Sequence, residues 1–143
     1  MEENLKERKT MSVPLNITTF INDINNYLIS KKKSLPVHIP PMGNKGGAGC
    51  YIMTTSASSV KIEYRAKQTH TIIVTQKEYS IFEKRFNYLQ SLKKVNYFKV
   101  SLEYVVSNYN YNIKSKNFYN WQNSPYNFRT NPLVPTIFKE LGY

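Results

Sequence analysis

The sequence predicts an α+β fold: a small antiparallel sheet of three to four strands, packed by a central amphipathic helix, with N-terminal and C-terminal helices. Three observations predict it. Apolar residues recur at helical spacing in three separate stretches. Between the first two of these lie short runs in which apolar and polar residues alternate. The links between those runs are short and polar, which suits sequential antiparallel pairing.

Residues 1–15 are expected to form a flexible basic tail, because they are charged and carry no apolar period. Residues 16–143 are expected to form a single α+β domain. Its first helix starts near Ile17, with Phe20, Ile21, Ile24 and Leu28 on one face. Asn16 or Thr18 supplies the N-cap. Lys31, Lys32 and Lys33 follow at the C-terminal end, where cations complement the helix dipole. The same triplet also suits phosphate contacts.

Residues 34–49, SLPVHIPPMGNKGGAG, contain three prolines and four glycines. No helix survives there, and only a short extended stretch is expected, so this is the internal joint. Candidate strands come next. Cys50 to Thr54 is short and apolar. Val60, Ile62 and Tyr64 alternate with Lys61, Glu63 and Arg65. Thr71 to Thr75 is rich in β-branched residues. A meander is the simplest arrangement of the three.

Thr75 and Glu78 have capping-box spacing. The spacing of Tyr79, Phe82, Phe86 and Leu89 predicts a helix over 76–92, packed on the meander, with Glu83, Lys84, Asn87 and Gln90 in water. Residues 95–109 read as a strand through the alternation of Phe98, Val100, Leu102, Tyr104 and Val106, with a short helix from Ser101 as the alternative. Residues 108–131 have no period and read as a long ordered loop. Pro135 suits the first turn of a last helix running to Leu141, and Gly142 suits its C-cap. The sequence stops one residue later, which raises the expectation of a fragment or of a protein partner completing the C-terminus.

Bulk properties narrow the function classes. With 143 residues, the chain can bury a core without a disulfide or metal. The lone Cys50 has no partner for an internal disulfide and points to a reducing compartment. No apolar run reaches the roughly 18 residues of a membrane span, and MEENLKERKT lacks an apolar signal core. The expected location is intracellular, cytoplasmic or nucleoid-associated, with no membrane partner.

The charge is +11, from 20 Lys and Arg against 9 Asp and Glu. A Lys-, Asn-, Tyr- and Ile-rich composition also follows from an AT-rich coding sequence, so placement matters more than number. No acid occurs between Asp23 and Glu63, or between Glu103 and Glu140. The second gap is crowded with aromatic and amide side chains. Tyr119, Trp121, Asn123 and Tyr126 lie there beside Lys114, Lys116 and Arg129. Aromatics stack on bases, Asn and Gln bond base edges, and Lys and Arg hold phosphates. A second cationic set, Lys61, Arg65 and Lys67, alternates along one strand and its turn. Burial of the aromatics in a core and solvation of the cations are the plain structural explanations.

Other constellations carry less. In GNKGGAG, from Gly43 to Gly49, Lys45 precedes the glycine pair and a strand follows, so the phosphate-loop order fails. Lys45 with exposed glycine amides still suits a backbone clamp on phosphate. Glu63, Arg65 and Lys67 resemble the strand motif of restriction-type nucleases, but Arg stands where Lys is usual and the only aspartate, Asp23, lies on another element. Glu63 is therefore a weak catalytic candidate, and pairing with a Lys or Arg is preferred. His38, His70 and Cys50 share no zinc spacing. No metal site and no cofactor are expected.

The function expected from these observations is a nucleic-acid-binding module without catalysis of its own. DNA is placed ahead of RNA, because a structural RNA-binding protein of ribosomal type more often carries a very long basic tail. That ribonucleoprotein role, a small Mg²⁺-dependent nuclease using Glu63, and a protein-interaction subunit are the alternatives.

Overall fold

A computed structural model describes residues 12–43, 47–93, 96–100 and 130–143. The fold is α+β. Helix α1 spans Ile17–Lys31, strands β1 to β4 span Val37–Ile39, Cys50–Thr55, Val60–Arg65 and Thr69–Val74, and helices α2, α3 and α4 span Gln76–Ser91, Tyr97–Val100 and Leu133–Leu141. The four strands form one antiparallel sheet in the order β1-β2-β3-β4.

Helix α1 begins where the apolar period begins. Asn16 is extended, and its Oδ1 accepts the Thr19 N–H at 2.9 Å, satisfying one of the donors the first turn leaves free. Its buried face is Ile17, Phe20, Ile21, Ile24 and Leu28. At the other end Lys32 adopts φ 54°, and the Lys33 N–H donates to the Leu28 carbonyl at 2.9 Å. This left-handed closure stops the helix inside the lysine triplet.

The Pro/Gly joint holds more structure than expected. Val37 to Ile39 is a true strand, paired with β2 as Val37↔Ile52, His38↔Tyr51 and Ile39↔Cys50. Prolines bracket it at Pro36 and Pro40, positions where a short edge strand tolerates them. Inward residues alternate strictly: Val37, Ile39, Cys50, Ile52, Val60, Ile62, Ile72 and Val74 are all buried.

The helices cover that inward face. Phe138 of α4 is the hub, with ring centroids 5.5 Å from Phe20, 6.0 Å from Tyr79 and 5.6 Å from Phe86, all edge-to-face. Helix α4 starts at Leu133, which puts Pro135 in its first turn, and Gly142 closes it at φ 87°. Leu133, Val134, Ile137 and Phe138 of α4 lie in the core.

Three expectations need correction. Helix α2 ends at Ser91, but Glu83 is buried rather than solvated, and Asn87 and Gln90 are half-buried. The reason is the stretch before α1. Asn87 Oδ1 accepts the Val13 N–H at 3.0 Å, Asn87 Nδ2 donates to Glu83 at 2.9 Å, Tyr79 Oη donates to the Pro14 carbonyl at 2.6 Å, and Gln76 Oε1 accepts the Ile17 N–H at 2.8 Å. Val13, within the stretch expected to be tail, is 2% exposed. Second, Thr75 caps α2 without the backbone bond of a capping box; its hydroxyl donates to the Glu78 carboxylate instead. Third, Tyr97–Val100 is a helical turn and not the start of a strand. Tyr97 packs against Phe86, and its hydroxyl donates to the Tyr143 main-chain oxygen, so tertiary contact overrides the alternation. The remainder of the expected 95–109 strand, and the aromatic loop to residue 129, lie outside the described residues.

Candidate nucleic-acid interface

Strand alternation sends every second side chain to the face of the sheet that points away from the helices. One row across that face is His38, Tyr51, Glu63 and Thr71, set by the register His38↔Tyr51, Tyr51↔Glu63 and Glu63↔Thr71. Lys61 lies opposite Ile73, and Arg65 opposite Thr69, on the same face. The β2–β3 register skips from Ile52↔Ile62 to Thr54↔Lys61, which leaves Met53 as the unpaired residue of a bulge.

Arg65 is the centre of this surface. Its Nε donates to Glu63 Oε1 at 2.6 Å. Its Cζ stands 4.0 Å from the centroid of the Tyr51 ring, within cation–π range. Its Nη2 lies 4.0 Å from Met53 Sδ. The side chain is nonetheless 48% exposed, against 16% for Glu63. The Glu63 hydrogen bond holds the Arg65 guanidinium even more firmly in its charged form.

His38 extends the surface toward the edge strand. Its ring lies 5.0 Å from Tyr51, and its Nε2 donates to the Ala48 carbonyl at 2.8 Å; a carbonyl only accepts, so Nε2 carries the hydrogen. Gly49 makes this approach possible. At φ 71° it turns the chain so tightly that an added Cβ would stand 2.0 Å from the Ile39 carbonyl oxygen and 3.1 Å from His38 Nε2. His38 also lines an open groove of about 620 Å³ with Lys32, Lys33, Pro40 and Glu140. Lys32 and Lys33 at the end of α1 and the outward sheet face therefore meet at His38.

The structure thus joins part of the expected site. Lys61 and Arg65 share the outward face, Lys67 sits in the turn between β3 and β4, Lys32 and Lys33 are exposed beside β1, and Lys31, also exposed, lines a separate groove with Asp23, Tyr27 and Glu140. Lys45, Lys114, Lys116, Tyr119, Trp121, Asn123, Tyr126 and Arg129 lie outside the described residues. Tyr51 and Met53 were missed. Tyr51 was legible: with Cys50 and Ile52 directed inward, the residue between them must point out. Met53 was not, because the bulge that frees it depends on the register with β3.

Glu63 is paired as the simpler reading expected, though with its own strand neighbour at i+2 and not across the ladder. Asp23 lies on α1, where its carboxylate accepts the Tyr143 hydroxyl. Among the described residues no three of His, Cys, Asp and Glu cluster in a way that could hold a metal ion. His70 stacks on Tyr64, centroids 6.2 Å apart, and Cys50 is buried, with its thiol pushed up to about 12 by that burial. Among the described residues no helix is long and apolar enough to cross a membrane. No protein-family model matches this chain, and no curated protein or solved structure matches it.

Proposed function

We propose that this protein is a nucleic-acid-binding module, DNA ahead of RNA, that contacts phosphates through Lys61, Arg65, Lys67 and the Lys31–Lys33 triplet. The carrying observation is the outward sheet face. It presents Lys61 together with Arg65, which lies over the Tyr51 ring, and its one acid among the described residues, Glu63, is paired with Arg65. With Arg65 and Glu63 offsetting each other, Lys61 on the face and Lys67 in its turn leave the surface net positive, and positive charge draws polyanions and holds them by releasing counterions. The acid-free, aromatic 104–139 stretch supports the same reading from sequence alone.

The test is fluorescence anisotropy with mixed-sequence labelled duplex DNA, single-stranded DNA and RNA, each titrated with salt. A log–log slope of about −4 or steeper is expected, corresponding to roughly five phosphate contacts. Absence of binding at low salt to all three overturns the proposal. Parallel incubation with Mg²⁺, resolved on a gel, addresses catalysis: intact product is expected, and cleavage lost in Glu63→Gln turns the reading to a nuclease.

A further inference from the structure

We infer that the outward sheet face takes an unpaired nucleic-acid strand and stacks one of its bases on the Arg65 guanidinium, in a Tyr51–Arg65–base sandwich. This rests on the nucleic-acid reading above and narrows it.

The geometry of Arg65 carries the inference. A surface arginine ordinarily samples many rotamers and presents a mobile charge. Here three contacts hold it. Glu63 takes the Nε edge at 2.6 Å, Cζ stands 4.0 Å from the centroid of the Tyr51 ring, and Met53 Sδ lies at 4.0 Å from Nη2. The side chain remains 48% exposed, so the flat cation is offered to solvent in a fixed orientation. Guanidinium planes and aromatic rings are the platforms on which unstacked bases settle. The orientation is set before the ligand arrives, which lowers the ordering cost of binding. Glu63 is a positioning residue here: it touches Arg65, not the base.

The shape of the sheet selects the unpaired strand. Four strands at about 4.8 Å spacing place the outer strand axes roughly 14 Å apart before side chains are added. The major groove is only about 12 Å wide and admits a helix or a two-stranded ribbon. A four-stranded face therefore lies across a duplex and meets only its phosphates. Bases inside a duplex also have both planes occupied by their neighbours, so a stacking platform has nothing to receive. An unpaired strand removes both obstacles. Lys61 and Lys67 flank Arg65 along β3 and its turn, where they meet the phosphates on either side of the stacked base.

The experiment compares four labelled ligands of one length on the full chain: single-stranded DNA, its RNA counterpart, the DNA duplex and an abasic DNA backbone. Either natural single strand is expected to bind about ten-fold or more tighter than the abasic strand, and tighter than the duplex, at matched salt. The DNA and RNA arms show which source the strand comes from. Tyr51→Ala and Arg65→Lys are expected to erase most of the preference over the abasic strand, with abasic binding within about two-fold of the parent. Tyr51→Phe keeps the ring and retains the preference. Arg65→Lys is made at an exposed position, so it tests the plane without disturbing the core. Equal affinity for natural and abasic strands, or tighter binding of the duplex, overturns the sandwich while the nucleic-acid reading stands. Absence of salt-dependent binding to all four overturns both.

Discussion

Gly49 shows how much one residue determines. A Cβ at φ 71° is strained in itself, and here it would also collide with the Ile39 carbonyl at 2.0 Å. Gly49→Ala is expected to lower stability by about 2–3 kcal/mol, read as a reduced urea midpoint at unchanged slope. It should also displace His38, whose bond to Ala48 depends on the same turn. The sequence shows a glycine-rich run but not which glycine is structural, since the strain arises only when Ile39 pairs with Cys50. Arg65 is the opposite case. Its strand position and its neighbour Glu63 are legible from alternation, whereas the Tyr51 ring beneath it depends on cross-strand register.

Among the elements, α2 does two jobs. One face packs Tyr79, Phe82 and Phe86 into the core, while Gln76, Asn87 and the Tyr79 hydroxyl grip the main chain of residues 13–17 and Glu83 accepts from Asn87. Asn87→Ala removes the acceptor of the Val13 N–H and leaves buried Glu83 without its amide donor. A loss of about 1–3 kcal/mol is expected, because polar groups are left buried and unpaired. Native-state hydrogen exchange checks it: the Val13 amide should lose its protection first. The periods of α1, α2 and α4 were legible because each buries one continuous stripe. Strand β1 and helix α3 were not. Three residues between prolines become a strand only through β2, and Tyr97–Val100 turns helical through contacts with Phe86 and Tyr143.

For the whole molecule, burial of weak acids predicts a limit at high pH. Burial, with the Glu140 hydrogen bond and charge, raises Tyr27 from 10.0 to about 12, and burial raises Cys50 from 9.0 to about 12. Tyr79 is raised by burial and by the Glu83 and Asp23 charges, and Tyr143 by burial and its bond to Asp23. A folded pKa above the unfolded one means the folded state favours the protonated form. The stabilisation is therefore complete below pH 9 and is lost as pH rises toward 12. Urea midpoints measured from pH 8 to 12 should hold and then fall across that window, with tyrosinate absorbance lagging that of the unfolded chain. The same scale sets function. The charge of +11 and the alternation of Lys61 with Arg65 were plain in the sequence, but only the fold brings Lys32 and Lys33 to the same surface at His38. The most direct test compares salt slopes for single-stranded DNA between the parent and a Lys61→Ala, Arg65→Ala, Lys67→Ala variant that stays folded by circular dichroism. If the face is the interface, affinity drops and the slope falls in magnitude by about 1.4, from the two phosphate contacts of Lys61 and Lys67 at roughly 0.7 each. An unchanged slope and affinity would contradict it and move the interface elsewhere on the chain.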